Sequence, residues 1–202
     1  PDFEQPGLTT DQREVAARLV EAVAARKFVP FLLDGVTGSG KTEVYFEAVE
    51  AAVAAGQQVL ILLPEIALSA AWRARFTARF GVPPVEWHSD ISAAQKRKSW
   101  RFILQGRASV VVGARSALFL PFSHLGLIIV DEEHEHAFKQ EDQVIYQARD
   151  MAVLRGRLDN VPVVLASATP SLESWVNAGK TGSPPRYNYL ALPKRVHGAQ
   201  LP

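Results

Sequence analysis

Two clusters in this sequence carry side chains suited to chemistry on a phosphorylated ligand. The first is Gly35-Val36-Thr37-Gly38-Ser39-Gly40-Lys41-Thr42, which fits the pattern G-x-x-x-x-G-K-[ST]. Glycines let successive backbone N–H groups converge on phosphate oxygens in conformations that a Cβ would block. Gly35, Thr37, Gly38, Ser39 and Gly40 would form that cradle. A helix beginning at Lys41 would point its positive end at the same oxygens. The Lys41 ammonium can reach the β- and γ-phosphates, and the Thr42 hydroxyl can serve Mg²⁺.

The second cluster is the end of "LGLIIVDEEH". Asp131 closes an apolar run and would hold Mg²⁺, directly or through water, while Glu132 would orient and deprotonate an attacking water. Two adjacent acids at a strand end can equally be a solvated turn; the glycine-rich loop upstream favours the functional reading. His134 is either a neutral hydrogen-bonding link or an exposed histidine, and His136 reads as exposed.

These clusters must be positioned by the elements around them. A helix is expected from about Thr10, with Asp11 and Glu14 at capping-box spacing and Val15, Leu19 and Val23 recurring every fourth residue. The apolar runs "PFLLD", "QVLILLP", "PVEWH", "SVVVGA", "LGLIIVDE" and "VPVVLASA" read as strands. Between them, "KTEVYFEAVEAAVAAG", "ALSAAWRARFTARF", "AAQKRKSWRFILQ", "RDMAVLRGRL" and "SLESWVNAG" read as helices, the third capped by Ser92 with Gln95. Near-continuous apolar strands alternating with amphipathic helices predict an α/β fold: a mostly parallel sheet with helices on both faces. In such sheets ligands bind beyond the carboxyl ends of the strands, where both clusters fall. Residues 1–8 read as a leader, 9–180 as the folded lobe, and 181–202 as a short strand and a proline-rich tail.

Composition excludes several classes. A net charge of +1 creates no global field for nucleic acid, so any such site must be local. With no cysteine the chain has neither disulfides nor thiolate metal sites. The five histidines lack metal-ligand spacing, so no zinc is expected and Mg²⁺ would arrive with nucleotide. The apolar runs are far short of a bilayer span, and the N-terminus does not read as a secretory signal. The absence of an initiator Met suggests processing or excision.

Taken in order, "GVTGSGKTEVY", "LPEIAL", "GARSALFLPF", "DEEHEHAFKQ", "YQARDMAVLRG" and "SATPSLES" resemble superfamily 2 helicases with a DExH box. Within that group they are similar to the bacterial replication-restart helicases, over roughly residues 8 to 195. The resemblance implies a RecA-like P-loop domain, the first of two lobes in a DNA-dependent ATPase and 3′-to-5′ DNA helicase that acts at stalled forks. It implies Lys41, Asp131 and Glu132 as catalytic residues. Gln12 would read adenine, with Gly35, Thr37, Gly38, Ser39, Gly40, Lys41 and Thr42 completing the ATP site. It gives Thr42 and Asp131 to Mg²⁺, and His134, Ser167 and Thr169 to coupling of nucleotide state with DNA. Pro64, Glu65, Arg115, Ser116 and Lys139 would contact DNA. The implied partners are single-stranded or forked DNA, the second lobe, primosome proteins and single-strand-binding proteins. The implied location is the bacterial cytoplasm, on the nucleoid and not at a membrane. The "SATP" segment also reads as an ordinary turn with Thr169 or Ser171 as helix cap.

The sequence departs from the family pattern in places. It contains no second phosphate-side arginine motif, no zinc-binding cysteines and no N-terminal DNA-binding region, and so reads as a first lobe followed by the start of a linker. After the box, Phe138 and Tyr146 stand where a tryptophan is common, which argues against base stacking there. "QKRKSWRF" puts Lys96, Arg97, Lys98 and Arg101 beside Trp100; the preferred reading is a solvated helix face with Trp100 toward the core, and phosphate tracking is the alternative. Arg73, Arg75 and Arg79 carry the same two readings. The rival functions are the motor lobe of another superfamily 2 DNA translocase and a non-hydrolysing module that binds DNA or a partner.

Overall fold

The computed structural model describes residues 7–64, 67–135, 138–140 and 146–196. Glu65, His136, residues 1–6 of the expected leader and residues 197–202 of the expected tail lie outside the described residues.

Helix α1 (Thr10–Ala25) leads into β1 (Pro30–Gly35), α2 (Lys41–Ala54), β2 (Gln58–Leu62), α3 (Ala70–Phe80), β3 (Val85–Trp87), α4 (Ala93–Leu104) and β4 (Val110–Gly113). A 3₁₀ turn (Arg115–Phe119) precedes β5 (Leu125–Asp131), the two-residue strands β6 (Lys139–Gln140) and β7 (Tyr146–Gln147), α5 (Ala148–Asp159), β8 (Val163–Ser167), α6 (Leu172–Asn177) and β9 (Asn188–Leu192). Seven strands form one parallel sheet in the order β3-β4-β2-β5-β8-β1-β9, and β6 and β7 pair as a small antiparallel ladder.

The fold class follows from how the strands distribute their side chains. On one face Phe31, Leu33, Val59, Ile61, Val112, Ile129 and Val164 pack against α1, α2 and α3. On the other, Leu32, Leu60, Leu62, Val111, Ile128, Val130 and Leu165 pack against α4, α5 and the 3₁₀ turn. Alternate residues of each strand thus meet opposite helix layers, which is why the strands read as unbroken apolar runs.

Two local expectations are corrected. The N-cap of α1 is Thr9, not Asp11: Thr9 Oγ1 accepts from Gln12 N at 3.3 Å, and Gln12 Oε1 accepts from Thr9 N at 2.8 Å. Thr9 carries the extended backbone a cap requires, whereas Asp11 already lies in the first turn, where its charge complements the helix dipole. Helix α3 starts at Ala70 and not Ala67, because Ser69 caps it through Trp72 N. The Ser92–Gln95 box of α4 forms as its spacing predicts.

Candidate functional site

β1 ends at Gly35 and α2 begins at Lys41, so the glycine-rich loop spans a strand end and a helix start. Ser39 N donates to Val36 O at 2.9 Å, closing the loop on itself. Two close approaches explain its glycines. A Cβ on Gly35 would fall 2.6 Å from Ser39 Oγ, and one on Gly40 would fall 2.2 Å from Gln12 Nε2. Gly40 also caps α2 with φ +82°, a conformation that a side chain disfavours. Gln12, buried at 4 % exposure, donates from Nε2 to Ser39 O at 2.8 Å, so the predicted adenine reader is fastened to the loop.

Lys41 is nearly buried, and its Nζ donates to Gly35 O at 2.6 Å, which leaves two N–H donors for a ligand. Ser39 Oγ is buried with no hydrogen-bond partner among the described residues. An orphaned hydroxyl, a lysine with spare donors and a loop closed to a Cβ at positions 35 and 40 all fit the phosphates of a nucleotide.

β5 sits two strands from β1, across β8, and brings Asp131 toward the loop. Asp131 accepts from Tyr45 Oη at 2.8 Å and from Glu132 N at 3.0 Å. Its pKa is pushed up to about 6, chiefly by burial and then by the Glu132 carboxylate; Tyr45 and Lys41 pull the other way. Burial, and then the charge of Asp131, likewise hold the Tyr45 phenol well above its ordinary value. Thr42 adjoins the same phenol, so the two expected Mg²⁺ residues flank Tyr45. Among the described residues no group of three or more His, Cys, Asp or Glu could hold a metal alone; a Mg²⁺ here would complete its shell with phosphate oxygens and water. Glu132 takes the left-handed conformation, φ +51°, as the chain turns off the strand.

The expected coupling residues do meet. His134 Nδ1 lies 2.7 Å from Ser167 Oγ, which accepts from Thr169 N at 2.9 Å. The helix after them is capped by Ser171, not Thr169, through Ser174 N. Arg115 NH1 donates to Lys139 O at 2.7 Å, so two of the expected DNA residues adjoin, and Ser116 beside them is exposed. Pro64 is buried, and its carbonyl accepts from Ala67 N and Leu68 N; the structure gives it the part of a turn former.

Three side chains that matter here lie within the motif segments but are given no role by them. Glu133, wholly buried, accepts from Ser171 N (2.7 Å), Ser171 Oγ (3.0 Å), Ser174 Oγ (2.9 Å) and Arg149 NH1 (3.4 Å). It ties the acidic turn to α5 and α6. Tyr45 is held in turn by Trp72 Nε1, which donates to its Oη at 3.3 Å. Neither Glu133 nor Arg149 nor Tyr45 lies in a chemical spacing pattern; only the run of acids after β5 hints that one of them has to be inside.

The sequence model of the DEAD/DEAH box helicase family matches residues 9–177. Among curated proteins, the chain is 46 % identical over 200 residues to replication restart protein PriA of Rickettsia typhi, covering 99 % of this chain and 30 % of that protein. It is 43 % identical over 195 residues to replication restart protein PriA of Bacillus subtilis, covering 96 % and 24 %. The chain therefore spans less than a third of these relatives. Among solved structures, RecG bound to a three-way DNA junction superposes with a TM-score of 0.70 at 22 % identity, over 96 % of this chain and 25 % of that one. MrfA bound to DNA superposes with a TM-score of 0.63 at 16 % identity, over 96 % and 26 %. At these identities the structures bear on the fold alone, which is the RecA-like helicase fold.

Proposed function

The chain belongs to the DEAD/DEAH box helicase family, and from that premise we propose that it is the ATP-binding lobe of a DNA-dependent ATPase and helicase acting in replication restart at stalled forks. The observation that carries this reading is a buried, unpartnered Ser39 Oγ in a loop whose Gly35 and Gly40 leave no room for a Cβ, with the Lys41 charge acting on buried Asp131 beside it. The similarity to PriA proteins supports the replication-restart assignment.

In this reading Gly38, Gly40 and the N–H groups of the loop bind phosphate oxygens. Lys41 neutralises the β- and γ-phosphates, and Gln12 presents its amide to adenine. Thr42 and Asp131 hold Mg²⁺, which when bound supplies charge stabilisation to the transferred phosphoryl group. Glu132, partly exposed beside Asp131 at the mouth of the turn, orients the water and takes its proton. The bond between His134 and Ser167 carries nucleotide state to the loops after β2 and β4 and to β6. There Arg115, Ser116 and Lys139 meet the backbone of single-stranded or forked DNA. A second lobe closes the cleft in the 3′-to-5′ motor, and primosome and single-strand-binding proteins are its further partners. The site of action is the bacterial nucleoid; no described helix is long and apolar enough to cross a membrane.

Titration of labelled ADP with Mg²⁺ tests the nucleotide site. Lys41→Ala should weaken binding by about 1.5–3 kcal/mol, the range for a charged hydrogen bond. Equal affinities would sink the assignment. Gln12→Ala should weaken ATP more than GTP, and equal losses would remove Gln12 from base recognition.

A further inference from the structure

The cations of α3 and α4 are used differently. On α3, Arg73 pairs with Glu86 at 2.7 Å, Arg75 with Glu43, and Arg79 with Glu47 at 2.8 Å and Glu50 at 2.5 Å. These arginines are consumed within the fold. On α4, Lys98 and Arg107 just beyond the helix lie over the Phe102 ring, at 5.6 and 4.9 Å from its centroid. That leaves Lys96, Arg97 and Arg101. Lys96 Nζ makes one long contact, 3.5 Å to Ser89 O, and among the described residues no acid forms an ion pair with any of the three. Glu86, the acid of the neighbouring strand, is committed to Arg73 and His88.

These three cations line an open cleft of about 370 Å³ together with Trp87 and Trp100. Trp100 is not on the core side, where its place on an amphipathic helix would put it: it is 44 % exposed, and Ile103 anchors the helix instead. An indole left in water beside three uncompensated cations offers an aromatic face for a base and charges for its phosphates. The cleft is also joined to the expected DNA loop. Trp87 pairs in register with Gly113, and its carbonyl accepts from Ala114 N at 3.1 Å, immediately before Arg115.

We propose that this β3–α4 cleft is a binding site for single-stranded nucleic acid, in which an unpaired base stacks on Trp100 while Lys96, Arg97 and Arg101 hold the adjoining phosphates. The site extends the path from Arg115 and Ser116 to the outer edge of the sheet, and so rests on the reading of that loop as a DNA contact. Charge complementarity selects a polyanion, and the exposed indole selects one with unpaired bases.

The test is fluorescence anisotropy of a labelled oligothymidylate with the 202-residue chain, its ADP affinity serving as the check on folding. Trp100→Ala should weaken DNA binding about tenfold, with Trp100→Phe retaining most of it. Arg97→Glu with Arg101→Glu should weaken it at least as much and lower the salt dependence by roughly 0.7 in log–log slope for each phosphate no longer neutralised. ADP affinity should not change. If Arg115→Ala weakens binding while the cleft variants bind like wild type, the cleft is overturned and the loop contact stands. If the wild-type chain binds no DNA, or if no variant including Arg115→Ala changes it, both fall. A polyglutamate peptide that binds the cleft in preference to the oligothymidylate would assign it to a protein partner and overturn the proposal.

Discussion

Tyr45 Oη donates a 2.8 Å hydrogen bond to Asp131 Oδ2, so the helix that starts at the glycine-rich loop holds the acid at the end of β5. Trp72 Nε1 donates to the same phenol at 3.3 Å, which carries the contact on to α3. All three groups are buried. The acid is thus placed by side chains from two helices as well as by its own strand.

Removing the phenol should be felt on both sides. Tyr45→Phe keeps the ring but leaves Trp72 Nε1 without an acceptor and removes a donor that favours ionised Asp131. The unsatisfied buried donor should cost about 1–3 kcal/mol. Urea denaturation measures this, and a parallel titration of ADP should show a weakened Mg²⁺ dependence. A variant as stable as wild type would mean that the indole finds water.

Asp131 should make stability depend on pH. Its pKa is about 6 in the folded chain against an ordinary 3.8, so between these values the folded state binds more protons than the unfolded one. Stability then falls as pH rises through that window, and the loss is complete above it, worth about 2–3 kcal/mol. Asp131→Asn does not titrate. The stability of the variant relative to wild type should therefore rise by that amount between about pH 4 and pH 7, and an unchanged difference would show that the folded carboxyl ionises normally.

Glu133 is the clearest structural liability in the acidic turn. It is wholly buried and accepts from two serines, a backbone amide and Arg149. Glu133→Ala leaves Arg149 with Asp150 at 2.8 Å but removes the acceptor of the Ser171 amide and of the Ser171 and Ser174 hydroxyls, and should cost about 1–3 kcal/mol for each donor left unsatisfied. Thermal melting of Glu133→Ala beside Glu132→Ala separates the two acids: only the former should lower Tm markedly.

What could be read from sequence follows the physics of each feature. The glycine-rich loop and Asp131 are legible because each needs a fixed residue type at a strand end, and strand ends are marked by apolar runs. Glu133 is not, because its burial is decided by α5 and α6, remote in sequence, and it lies within a run of charged residues that reads as solvated. Tyr45 looks like one more apolar residue of α2; its hydroxyl acquires meaning only when β5 is placed beside it. Trp100 is expected toward the core because an aromatic on an amphipathic helix usually packs inward. Here β3 is a three-residue edge strand, and Ile103 suffices to seat the helix. The ladder of β6 and β7 consists of two-residue strands, too short for any periodicity to show.

Gln12 and Gly40 should depend on each other. Gln12 closes the cap of α1 through Thr9 N and reaches across to Ser39 O, and its amide nitrogen lies where a Cβ of residue 40 would have to go. Gly40→Ala should therefore carry two penalties: the left-handed backbone at φ +82°, about 1–2 kcal/mol, and displacement of the Gln12 amide. Gln12→Ala alone should cost about 1–2 kcal/mol through the missing cap and loop bonds. In the double variant the displacement is no longer there to be suffered, while the backbone penalty persists. The combined loss should fall short of the sum by about 1 kcal/mol, within the usual coupling of residues in contact. Chemical denaturation of the four proteins measures the cycle. Strict additivity would mean that the Gln12 amide swings aside freely, and that α1 does not brace the glycine-rich loop.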